Sequence, residues 1–111
     1  MRGASRLLTR ISHYIEPMET IRVLLVDDED DFRQTVAKRL VKRGIDTRQA
    51  ASGEACLKML ENESVDVVVL DVKMPGIDGI ETLHHIKKGH PHTEVIMLTG
   101  HASPPQVARL L

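Results

Sequence analysis

Two apolar runs, each ending in aspartate, constrain this chain more than any other feature. The first is Ile21-Arg22-Val23-Leu24-Leu25-Val26, followed by Asp27-Asp28-Glu29. The second is Val67-Val68-Val69-Leu70, followed by Asp71-Val72-Lys73-Met74-Pro75-Gly76-Ile77-Asp78-Gly79. Short apolar runs bounded by polar and turn residues read as strands buried on both faces. In open α/β sheets, ligands bind outside the carboxyl ends of such strands, where both acidic groups stand. Three carboxylates gathered there repel one another unless a hard cation joins them, and all-oxygen ligation suits Mg²⁺. The pattern points to metal-assisted phosphoryl chemistry, with Asp71 as a candidate nucleophile.

From residue 21 onward the pattern alternates strand and helix, the signature of βαβ units and a parallel sheet. Phe32, Val36 and Leu40 recur at helical spacing and predict the core face of a first helix ending near Gly44. Residues 45–50 form a second, less apolar strand, suited to a sheet edge. Gly53 opens a second helix with Cys56, Leu57 and Leu60 on its inner face, and residues 65–70 form the third strand. A third helix starts after Asp78-Gly79 and buries Ile80, Leu83 and Ile86, with Asp78 and Glu81 spaced as a capping box. After the loop Gly89-His90-Pro91-His92 comes a fourth strand, residues 95–98, and Ser103-Pro104 reads as the start of a further helix.

Residues 1–20 form an extension of different character. Arg2, Arg6 and Arg10 interleave with Leu7, Leu8, Ile11 and Ile15. This reads either as a weakly helical basic amphipathic segment or as a disordered tail, and Met18 is an alternative start. Leu7-Leu8 is too short an apolar core for a signal peptide.

Composition narrows the class. A chain of 111 residues, 41% hydrophobic and 2% aromatic, is one small domain with an aliphatic core. Its net charge of −1 gives no field that favours nucleic acid. No apolar run approaches the ~20 residues that span a bilayer, so no membrane partner is expected. Cys56, the single cysteine, excludes a disulfide framework and fits a reduced cytoplasm, and at its helical position it reads as a small core residue.

The fourth strand, Glu94-Val95-Ile96-Met97-Leu98, ends in Thr99-Gly100, a hydroxyl and a flexible backbone step at the same sheet edge. With that third motif in place, the chain resembles the receiver domain of two-component response regulators. The match runs through Val26-Asp27-Asp28-Glu29, then Leu70 to Gly79, then Met97-Leu98-Thr99-Gly100, in order and at the family's spacing. The resemblance implies a flavodoxin-like (CheY-like) doubly wound parallel sheet of strand order 2-1-3-4. It also implies a phospho-acceptor role without enzymatic turnover. Asp71 would accept a phosphoryl group from a histidine kinase or phosphotransfer protein. Asp28 would ligate Mg²⁺ directly and Asp27 through water, with Asp71 and the backbone carbonyl of Lys73 completing the protein's share. Thr99 would contact a phosphoryl oxygen and carry the conformational signal. Lys73 and His101 lie at positions whose side chains tune hydrolysis in the family, and both are candidate modulators. Glu29 lies at the edge of the site.

The family pattern continues through a fifth strand carrying a lysine and a fifth helix, neither of which follows here. Residues 21–111 are therefore expected to form a truncated receiver. Its fourth strand would be an exposed apolar edge open to self-association, and its switching would be weakened. The second reading of function is accordingly a non-signalling receiver remnant that acts at most as an interaction module. A third, an aspartate-nucleophile phosphatase, conflicts with Lys73, because such enzymes usually place an acid two residues after the nucleophile. Taken singly, each motif has a plainer account: residues 27–31 suit a solvated helix start, and Pro75-Gly76 and Asp78-Gly79 are generic turns. Their joint order argues against accident. The histidines lack the spacing of a metal site: His84 and His85 are adjacent on a helix, and His90 and His92 flank a proline.

Overall fold

A computed structural model describes residues 20–98. The elements run β1 (Arg22–Val26), α1 (Asp30–Lys42), β2 (Asp46–Ala50), α2 (Gly53–Asn62), β3 (Val67–Asp71), α3 (Gly79–Gly89) and β4 (Glu94–Leu98). All strand pairs are parallel, in the order β2-β1-β3-β4. The expected doubly wound sheet and its strand order are thus borne out. Right-handed crossovers send α1 to one face as the chain steps from β1 out to β2. The chain then reverses, so α2 and α3 cover the opposite face. The reversal leaves a crevice between the carboxyl ends of β1 and β3, where an α/β sheet places its ligands.

Register aligns the core. Leu24 pairs with Val68 and Val26 with Leu70, and these side chains join Cys56, Leu60 and Ile86 in the cluster beneath α2 and α3. On the other face, Leu25 aligns with Val69 and Val69 with Ile96. Burial falls along that row, from Leu25 with none of its surface exposed to Ile96 at 54%. Among the described residues β4 is a sheet edge. Caps act where the chain enters α2 and α3: Ser52 Oγ accepts from Ala55 N at 3.0 Å, and Asp78 Oδ1 accepts from Glu81 N at 2.8 Å.

One expectation needs correction. Phe32, Val36 and Leu40 were expected as the core face of α1, yet Phe32 is 46% exposed while Arg33 and Ala37 are buried. The helix is turned one residue from the apolar spacing. Arg33 lies with Ala37 on the buried side of α1, where its guanidinium satisfies polar groups. It donates from Nη1 to the Asp27 carbonyl at 2.7 Å and from Nε to Gln49 Oε1 at 3.1 Å. A second difference is at β3, which begins at Val67 rather than Val65 and includes Asp71 as its last residue. Val65 stays buried just ahead of the strand, its carbonyl accepting from Thr93 Oγ1 at 3.1 Å.

Candidate functional site

The site is built from two strand ends. Asp27 follows Val26, and its backbone N–H still continues the ladder to the Ala50 carbonyl at 3.1 Å. That pairing holds Asp27 in place and leaves it only 4% exposed. Its Oδ1 accepts from Glu29 N at 2.9 Å, a local turn that swings Asp28 outward into solvent and leads into α1. Asp71 closes β3, also 4% exposed, and its Oδ1 accepts from Lys73 N at 3.3 Å.

The three side chains converge. Asp27, Asp28 and Asp71 each offer an oxygen, and these oxygens all lie within 4.8 Å of one another. Two like charges about 4 Å apart repel by roughly 4 kcal/mol at an effective dielectric of 20. The cluster therefore favours a bound cation, and a donor set of carboxylate oxygens suits a hard divalent ion. Among the described residues this is the one group of three or more potential metal ligands so arranged. The residues fit Mg²⁺.

A depression opens above the carboxylates, lined by Asp28, Glu29, Asp71, Lys73, Met74 and Pro75. Its outer wall is the loop from β3 to α3. Val72 and Met74 are buried on either side of the exposed Lys73, which anchors the backbone around that residue. The loop turns at Gly76, whose φ of 76° lies in the left-handed region that glycine tolerates. It closes where Gly79 N donates to the Val72 carbonyl at 2.8 Å. A Cβ on Gly79 would overlap the Asp71 carbonyl oxygen, so the start of α3 lies directly against the end of β3.

The expected ligands Asp27, Asp28 and Asp71 are thus brought together, with Lys73 beside them. Thr99 and His101 lie outside the described residues. Sequence reasoning missed two residues next to the site. Arg33 braces the main chain of Asp27, and its charge is paired with Asp30 at 2.7 Å. Glu54, at the start of α2, reaches across to accept from Ile77 N at 3.0 Å. A signal for Arg33 existed in its i,i+3 spacing from Asp30, whereas the Glu54 contact joins residues 23 apart in sequence and has no local signature.

Residues 23–111 match the family model of the response regulator receiver domain. The heme response regulator HssR of Staphylococcus epidermidis is 42% identical over 80 residues, which cover 72% of this chain and 35% of HssR. The chain spans about a third of the length of the curated relatives it matches first. Among solved structures, the response regulator TrrA of Thermotoga maritima, determined in complex with Mg²⁺ and BeF, is 30% identical. It superposes with a TM-score of 0.70 over 80% of each chain. A complex of histidine kinase ThkA with TrrA gives a TM-score of 0.70 at 33% identity, covering 80% of this chain and 79% of the matched one.

Proposed function

This chain belongs to the response regulator receiver domain family, and on that premise we propose that it is a phospho-acceptor whose acceptor residue is Asp71. The observation that carries the reading is the convergence of Asp27, Asp28 and Asp71 at the crevice between β1 and β3. The phosphoryl group comes from a phosphohistidine of a histidine kinase or phosphotransfer protein. An Asp71 carboxylate oxygen attacks the phosphorus in line. The P–N bond breaks, its electron pair returns to the imidazole nitrogen, and an acyl phosphate forms on Asp71. The kinase complex of TrrA and its Mg²⁺–BeF form support this assignment by likeness.

Asp27, Asp28 and Asp71 would hold Mg²⁺, with the Lys73 carbonyl as the main-chain ligand. When bound, the ion supplies positive charge against the oxygens of the transferring group. The chain's own part is positional. The end of β3 fixes the nucleophile, Arg33 fixes the backbone of Asp27, and the buried Val72 and Met74 fix the loop that carries Lys73. Thr99 is assigned to phosphoryl contact and signalling, and Lys73 and His101 to the tuning of hydrolysis. The chain consumes one phosphoryl group per cycle as a signalling module of the cytoplasm, without turning over a substrate of its own.

Titration with Mg²⁺, followed by beryllium fluoride, tests this reading. Wild type should bind Mg²⁺ weakly and beryllofluoride only in its presence, while Asp28→Asn and Asp71→Asn each abolish both. Unchanged Mg²⁺ affinity in both variants would refute the site.

A further inference from the structure

We propose that Glu54 is a positioning residue for the metal site, holding the β3–α3 loop in the shape that presents the Lys73 carbonyl. The inference rests on the Mg²⁺ reading above. Three contacts place the loop on the first turn of α2. The Glu54 carboxylate accepts from Ile77 N at 3.0 Å. Gly76 lies against the same carboxylate, so that a Cβ there would come within 2.6 Å of Glu54 Oε1. Beneath them, Gly53 leaves the space that Ile77 fills, since a Cβ at Gly53 would stand 2.7 Å from Ile77 Cγ1.

The loop is thus gripped at both limbs. Its near limb is tied to Asp71 by the Lys73 N–H, and its far limb is tied to α2 by Glu54. Lys73 sits between these ties, with its side chain in solvent. A left-handed step at Gly76 gives the far limb backbone freedom that the Glu54 hydrogen bond removes. The carboxylate is held in its charged form: its pKa is lowered, chiefly by the Ile77 amide. Charge-assisted hydrogen bonds of this kind are stronger than neutral ones. Glu54 itself is exposed, so its removal opens no cavity in the core.

The experiment measures Mg²⁺ affinity and Ile77 amide exchange in wild type, Glu54→Ala and Glu54→Gln, with thermal unfolding followed in parallel. Glutamine keeps a carbonyl oxygen that can accept from Ile77 N, whereas alanine keeps none. Glu54→Ala should weaken Mg²⁺ binding about fivefold, the size expected for one typical hydrogen bond lost at the surface, and should speed Ile77 exchange. Glu54→Gln should stay within about twofold of wild type. Wild-type affinity in Glu54→Ala, or equal loss in both variants, would overturn the positioning role while leaving the metal site intact. Absence of Mg²⁺ binding in wild type would overturn the site reading and this role with it.

Discussion

The guanidinium of Arg33 donates to the main-chain oxygen of Asp27 across 2.7 Å, tying the first turn of α1 to the strand end that carries the acidic cluster. Arg33 is 8% exposed and also bonds Gln49 and Asp30, so its charge is spent inside the structure. Arg33→Met keeps much of the stem but orphans the buried Asp27 carbonyl. It should cost about 2–3 kcal/mol by urea unfolding, the penalty for a buried polar group left unpaired. Arg33→Lys should recover only part of this, because an ammonium cannot reproduce the planar fork.

Gly79 makes the tightest backbone approach to Asp71. A Cβ there would overlap the Asp71 carbonyl oxygen and lie 2.6 Å from Val72 Cα, and main-chain atoms cannot turn aside. Gly79→Ala should therefore destabilise by about 3 kcal/mol, at the upper end for overpacking, and disturb Mg²⁺ binding. Gly89→Ala is the control, since nothing lies within 4 Å of that position. It should be neutral or gain up to ~1 kcal/mol in helix propensity.

Two of the three helical faces named from sequence separate in the same way. Ile86 is fully buried, whereas Phe32 is 46% exposed. Ile86→Ala should cost about 2–5 kcal/mol as a core cavity, and Phe32→Ala less than ~1 kcal/mol as a largely surface change. Denaturant midpoints of the two variants decide whether α1 is turned as described.

Burial pushes the Cys56 thiol up from 9.0 to about 12. The folded chain holds this proton more tightly than the unfolded chain. The resulting stabilisation is complete below about pH 9 and fades as pH rises toward 12. At pH 8 the native thiol should resist iodoacetamide, and full reactivity should appear only on unfolding in urea. Rapid alkylation of folded protein would contradict the burial.

What could be read from sequence follows from what periodicity encodes. Strands β1 and β3 and the carboxylates Asp27, Asp28 and Asp71 were legible because an apolar run ending in aspartate marks both a buried strand and its carboxyl end. The orientation of α1 was not, because arginine counts as polar in any apolar pattern although its stem can cover a sheet. The Glu54–Ile77 contact was invisible for another reason: it forms only after α2 and α3 pack side by side. Ser52, one residue before the helix start at Gly53, was a readable cap that the apolar pattern passed over.

The central claim is that Asp71 takes a phosphoryl group with the help of a divalent ion at the carboxylate cluster. Incubation with acetyl phosphate and Mg²⁺, read by intact mass and by peptide mapping, tests it most directly. Wild type should gain one phosphoryl group, mapped to Asp71, and should lose it on treatment with hydroxylamine, which cleaves acyl phosphates. Asp71→Asn, or chelation of Mg²⁺ by EDTA, should leave the mass unchanged. Phosphorylation that persists in Asp71→Asn, or that proceeds equally without the metal, would contradict the account.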